Sequence, residues 1–289
     1  GFLKNKKVML LGSQGQLGLE ILYELKNKYD LYAFSRNELD ITDNANLKNV
    51  ILSIKPDFVI NCAAYTGVDK AENEKEVCLD INSNSVEELA KLSASEDFVL
   101  IHFSTDYIFN AKSSQPIKEE HSPDPINFYG YTKLLGENHI KSLSKCFFIF
   151  RISWVFGKHG ENFPKKIISL LNERDSIEVV RDQIGSPTST SLVAEYILRI
   201  LELNREELLQ TFGIYNLCPD GSCSWYEIAK HIEKRLFNKK KIIPVSSSNF
   251  KTKARRPNYS LLCNTKSKKT FKIRTYDWKY YLDNFLEAI

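Results

Sequence analysis

Short, almost uninterrupted apolar runs alternate with segments of helical spacing through the first half of the chain. Residues 7–11 (KVMLL), 31–34, 58–60, 98–103 and 146–151 read as five strands. Between them, Leu17, Ile21, Leu22 and Leu25 recur on one face of a helix over 17–26. A second helix opens at Thr42-Asp-Asn and runs to Ile54, and Pro56 starts the next unit. Residues 86–92 lie within a third helix and 129–143 form a fourth. This alternation predicts a parallel sheet covered on both faces, and the continuous apolar character of its strands fits burial on both sides.

After Trp154 the pattern loosens. Residues 163–171, 191–203 and 225–237 read as helices, and 214–217 and 241–245 as short strands. Residues 246–256 are polar and basic and read as a mobile loop. With no internal repeat and no long linker, the second half is expected to pack tightly on the first. The expected fold class is α/β: a Rossmann-like doubly wound parallel sheet over 1–155, with a smaller C-terminal substrate-binding α/β subdomain over 156–289, of which about 184–217 returns to the first core.

The 289 residues, 43% of them hydrophobic, suffice for one large domain or two smaller ones. A formal net charge of +4 demands no nucleic-acid partner and suits an anionic substrate. No apolar run approaches the roughly 18–20 residues that cross a bilayer. The basic opening stretch is followed only by Val8 to Leu11, too short for a signal-peptide core. The six cysteines are scattered; only Cys218 and Cys223 are close, with no histidine at zinc-ligand spacing. Buried or idle thiols and a cytoplasmic location are expected.

The chemistry begins with Gly12-Ser-Gln-Gly15-Gln-Leu-Gly18, between the first strand and the first helix. Glycines there let backbone N–H groups approach a pyrophosphate, and the helix N-terminus adds its positive end. The spacing is GxxGxxG, and Gln14, Gly15, Gln16 and Leu17 are expected on the cofactor with Gly12 and Gly18. At the end of the second strand stand Ser35 and Arg36 in place of an acidic residue; a hydroxyl and a guanidinium suit a 2′-phosphate, so NADP is favoured over NAD. Asp40 and Ile41 fall where the next loop contacts adenine, and Ala63, Ala64 and Tyr65 after the third strand border the ribose and nicotinamide. Tyr129 and Lys133, four apart, share one helix face. A tyrosine alone is a poor acid, with a pKa of about 10; a neighbouring ammonium is expected to lower that value and to bring the proton donor towards working pH. Thr105, at the end of the fourth strand, is placed to donate to a substrate carbonyl. The competing Tyr131 is two residues from Lys133 and faces elsewhere.

These residues resemble the extended short-chain dehydrogenase/reductases, and within them the dTDP-4-dehydrorhamnose reductase family. The glycine loop and Tyr-x-x-x-Lys mark only the superfamily. Further pieces are Ser104-Thr-Asp-Tyr-Ile-Phe109, Arg151-Ile-Ser-Trp-Val-Phe156 and Arg256-Pro257, and the more specific ones lie in Asn61-Cys-Ala-Ala-Tyr-Thr-Gly-Val-Asp-Lys-Ala-Glu72 and Asp182-Gln-Ile-Gly-Ser-Pro-Thr188. The resemblance implies reduction of a dTDP-sugar 4-ketone with NADPH, NADH being possible. It makes Tyr129 the acid, Lys133 its partner and Thr105 a donor to the keto oxygen, with Asp106 and Tyr107 beside the sugar. Trp154 packs on the sugar by the same resemblance, and Asn162, Phe163, Gln183 and Arg256 line the nucleotide-sugar path. Arg256 suits a diphosphate because a guanidinium binds phosphate oxygens in pairs.

Some members of that family bind magnesium through acidic residues at a dimer interface. Glu20 matches one such position and the others have no match, so Mg2+ is possible with ligands unassigned, and a homodimer is a possible assembly. Gly67 stands where the family often carries alanine, one methyl group smaller near cofactor and sugar. Two alternatives stay open. One is reduction of another 4-keto nucleotide sugar, as in a 6-deoxytalose pathway. The other is a non-catalytic, reductase-like regulatory subunit of methionine adenosyltransferase, although intact Thr105, Tyr129 and Lys133 favour an enzyme.

Overall fold

The computed structural model describes residues 5–112 and 114–289; part of the basic opening stretch considered above therefore lies outside the described residues. In chain order the elements are β1 (Lys7–Leu11), α1 (Gln16–Leu25), β2 (Asp30–Phe34), α2 (Asn44–Ile54), β3 (Phe58–Asn61), α3 (Lys75–Leu79), α4 (Ser85–Ser95), β4 (Val99–Thr105), α5 (Phe128–Leu143) and β5 (Phe147–Ile152). The second half adds β6 (Val155–Phe156), α6 (Phe163–Glu173), β7 (Ser176–Val180), β8 (Ile184–Gly185), β9 (Thr188–Ser189), α7 (Thr190–Glu202) and α8 (Arg205–Thr211). It closes with β10 (Gly213–Asn216), β11 (Cys223–Ser224), α9 (Trp225–Leu236), β12 (Lys241–Val245), α10 (Thr265–Phe271) and α11 (Trp278–Ala288).

Six strands form one parallel sheet in the order β2-β1-β3-β4-β5-β10. The period of two along each strand divides its apolar residues between two cores. Met9 and Leu11 join Leu47, Ile51, Leu89 and Ile140 under α2, α4 and α5. Val8 and Leu10 join Ile21, Leu25, Val193 and Ile197 under α1 and α7. This second core continues without a break into Ile228, Ile232, Trp278 and Leu282, so the C-terminal helices share it. The strand order reverses at β1, with β2 on one side and β3 on the other. In such sheets the crevice at the carboxyl ends of the strands beside the reversal receives the ligand.

The second half is built differently. β10 lies parallel to β5 in the main sheet, while β7 pairs with β12, β8 with β11 and β6 with β9 as separate two-stranded pieces. Residues 246–256, expected as a mobile loop, are fastened at both ends. Asp182 accepts the Ser247 N–H at 2.9 Å and the Ser246 hydroxyl at 3.1 Å, and Asp69 accepts the Ala254 N–H at 3.0 Å. The polar composition that reads as mobility here supplies the donors of these ties.

Candidate active site

At the switch point β1 runs into Gly12, whose φ of +70° favours glycine. A Cβ on Gly18 would lie 1.9 Å from the Gly12 carbonyl oxygen, so only glycine lets α1 start directly against the end of β1. The N-cap of α1 is Gly15; no side chain caps its first N–H groups and no acidic residue stands in its first turn. The positive end of the helix is therefore open to an anion, and the loop fits a dinucleotide pyrophosphate. Ser13 donates its N–H to the Phe34 carbonyl at 3.0 Å, which sets Ser35 and Arg36 beside this loop.

Helix α5 starts at the Asn127 cap, whose Oδ1 accepts the Gly130 N–H at 2.7 Å. Tyr129 stands four positions before the buried Lys133, and Thr105 ends β4. All three open into one cavity of about 670 Å³ that Gln14, Gly15, Gln16 and Leu17 also line. Ala64, Asp106, Tyr107 and Trp154 complete its expected members. Burial pushes the Lys133 ammonium down to about 8, against the opposing pull of Glu137. Burial likewise pushes the Asp106 carboxyl up to about 7.

For Tyr129 the direction is opposite to the expectation from sequence. Burial raises its pKa, the Asp106 carboxylate adds to the rise, and the Thr105 hydroxyl opposes it. Loss of hydration outweighs any neighbouring positive charge, so the phenol is fully protonated at neutral pH. That is the form a proton donor requires.

Trp154 adopts φ 46°, a backbone conformation rare for a bulky residue. Its ring stacks on Trp225 with centroids 3.7 Å apart. A Cβ on Gly185 would come within 2.8 Å of the Trp154 ring, so that glycine makes room for the indole. Trp225 also borders a second cavity of about 710 Å³, lined by Phe163, Lys166, Gln183, Phe250 and Arg256 among others. Gln183 accepts the Trp225 indole N–H at 3.1 Å, and the Phe163 ring lies 4.6 Å from that of Trp225. Trp225 is thus a wall common to both cavities.

Several expected residues do not line the first cavity. Asn162 caps α6 and its amide donates to Gln16 at 2.9 Å, so it ties α6 to the glycine loop and lines neither large cavity. Arg36 is exposed, and Asp40 holds Thr42 through its N–H at 2.9 Å and its hydroxyl at 2.7 Å. Ile41 is buried in the core beneath α2. Ala63 packs behind Gly12, and the Tyr65 hydroxyl turns to Glu74 instead of the cavity. Arg256 lines the second cavity, and its Nη1 and Nη2 each donate to Asp69, at 3.0 and 3.2 Å. Two of its five N–H donors are thus on a carboxylate. Glu20 faces His159 at 3.9 Å, and among the described residues no group of three or more potential metal ligands occurs.

Three residues escaped the sequence reading. Trp225 carries no signal beyond following the Ser224 cap of α9. Asp69 and Glu72 stand within the quoted stretch after β3, where their spacing alone assigns no role. Glu72 accepts the N–H of Phe128, the first residue of α5, at 2.9 Å.

The chain matches the family model described as the RmlD substrate binding domain over residues 6–289. It is 34% identical to the Escherichia coli dTDP-4-dehydrorhamnose reductase, with 98% of this chain and 97% of that protein covered. It is also 34% identical to the spore coat polysaccharide biosynthesis protein SpsK of Bacillus subtilis, over 97% of each. Among solved structures, dTDP-4-dehydrorhamnose reductase from Bacillus anthracis in complex with NADP superposes with a TM-score of 0.93 at 36% identity, covering 98% of this chain and 99% of that one.

Proposed function

From the membership of this chain in the RmlD substrate-binding-domain family, we infer that it catalyses the NAD(P)H-dependent reduction of the 4-keto group of dTDP-4-dehydro-β-L-rhamnose to dTDP-L-rhamnose, the last step of dTDP-rhamnose synthesis. One observation carries the assignment of roles: Thr105, Tyr129 and Lys133 open into the same cavity as the glycine loop. A reducing cofactor on that loop and a ketone beside Thr105 would then meet within one cavity.

Bound at the open N-terminus of α1, the nicotinamide cofactor would supply the hydride. Tyr129, kept protonated by burial, donates its phenolic proton to the sugar C4 oxygen as the ketone becomes an alcohol. The Thr105 hydroxyl donates a hydrogen bond to the same oxygen. Lys133, at about 8, is mostly protonated at pH 7 and stabilises the tyrosinate left behind. NADPH is the preferred reductant in this reading, supported by exposed Arg36 beside the glycine loop; the nearby Glu38 carboxylate is engaged by the Ser35 N–H at 3.0 Å. Trp154, Trp225, Phe163 and Gln183 form the walls along which the nucleotide sugar lies.

The test follows NADPH absorbance as the purified protein meets enzymatically generated dTDP-4-dehydrorhamnose, with NADH in parallel. Substrate-dependent oxidation yielding dTDP-L-rhamnose by NMR is the expected result. Cofactor binding without oxidation contradicts the reading.

A further inference from the structure

The segment Val68-Asp-Lys-Ala-Glu72 leaves β3 and ends in a 3-10 turn over Lys70–Glu72. Its two carboxylates reach the start of α5 by separate routes. Glu72 binds the Phe128 N–H at 2.9 Å. Asp69 clamps the distant segment 254–256, through the Ala254 N–H and both arms of Arg256. Within that segment the Arg255 carbonyl accepts the Asn127 side-chain amide at 2.8 Å. Asn127 in turn caps α5 at the Gly130 N–H. Tyr129 therefore sits between two residues whose backbone N–H groups are both held, one by Glu72 and one by Asn127. Its ring meets the edge of the Tyr107 ring at 6.3 Å, and the Arg256 guanidinium also acts on the Tyr107 hydroxyl.

The energetics favour placement over folding as the purpose of this arrangement. The Asp69 side chain is 44% exposed and that of Arg256 is 22% exposed. An ion pair so open to water contributes little to stability. A proton donor displaced by about 1 Å, by contrast, costs on the order of 10²-fold in rate. Glu72 adds an anion at the positive end of α5.

We propose that Asp69 and Glu72 are positioning residues for Tyr129, which hold the start of α5 from two sides and tie the proton donor to the 254–256 segment at the substrate cavity. The effect on turnover rests on the reductase reading; the placement of the Tyr129 ring does not. The test uses the full-length variants Asp69→Asn, Glu72→Ala and Glu72→Gln. Asp69→Asn and Glu72→Ala are expected to lower kcat by about 10- to 100-fold, with NADPH Kd within about twofold of wild type. Glu72→Gln keeps an acceptor for the Phe128 N–H and should recover most of the loss.

In protein labelled with 3-fluorotyrosine, the Tyr129 fluorine resonance, identified by its loss in Tyr129→Phe, should move in the first two variants and return in Glu72→Gln. Unchanged kcat and an unmoved resonance overturn the proposal, as does a rise in sugar KM alone or a parallel loss of NADPH binding. Should Asp69→Asn fail to fold, the Glu72→Ala and Glu72→Gln contrast decides. Should the wild type not turn over, the reductase reading fails, and the fluorine shifts still judge the proposal.

Discussion

Arg151 with Glu137, and Arg256 with Asp69, are the same chemical pair set at two depths. In the first, the guanidinium meets the carboxylate at 2.8 and 3.1 Å, with side chains 2% and 0% exposed. In the second, the distances are 3.0 and 3.2 Å, with 22% and 44% exposed. The deep pair joins β5 to α5 beside the main sheet, and Arg151 also donates to the Glu119 carbonyl at 2.7 Å. Water cannot reach it, so loss of either member strands a charge. The shallow pair joins two loops at the substrate side, where water substitutes for a lost partner at small cost. Both pairs make two hydrogen bonds, side-on through Nε and Nη2 in the deep one and end-on through Nη1 and Nη2 in the shallow one; burial decides whether the pair governs folding or the placement of a neighbour.

The sharpest way to break this contrast is to remove one carboxylate from each pair. Glu137→Leu should destabilise the protein by about 3–5 kcal/mol in urea unfolding. Asp69→Asn should cost at most about 1 kcal/mol in the same experiment. Equal losses would contradict the division. A smaller effect separates the halves by ligand: Arg36→Ala should raise the KM for NADPH about tenfold and leave that for NADH unchanged, because only the 2′-phosphate gains a charge-assisted bond. Equal changes for both cofactors would remove Arg36 from the ribose.

The smallest effect is in pH. Burial lowers Lys133 to about 8, so its positive charge is lost as pH rises through about 8. kcat/KM for the wild type should fall to about half near that pH and decline further above it. A plateau extending towards pH 10 would show that Lys133 keeps its ordinary affinity for a proton.

The same division explains what could be read from sequence. The main sheet is legible because its signals are local: apolar runs mark β1, β3, β4 and β5, and glycines mark the turn into α1. Tyr129 and Lys133 share a face through helical spacing alone. The substrate half is assembled from contacts distant in sequence. Trp154 meets Trp225, and Arg256 meets Asp69 across 187 residues. No periodicity or spacing announces such meetings, so the sequence assigns no role to Trp225 or Asp69 and does not show that Arg256 pairs with a carboxylate. Residues 246–256 read as mobile because their ties, Asp182 and Asp69, lie far away along the chain. The direction of the Tyr129 shift was missed for a related reason: a sequence shows a neighbouring lysine but not the burial that outweighs it.

Tyr129→Phe compared with wild type tests the central claim most directly, with kcat on dTDP-4-dehydrorhamnose and NADPH Kd measured on the same preparations. The account predicts a fall in kcat of about 10³-fold with NADPH Kd within about twofold. Near-wild-type turnover, or loss of NADPH binding together with activity, would contradict it.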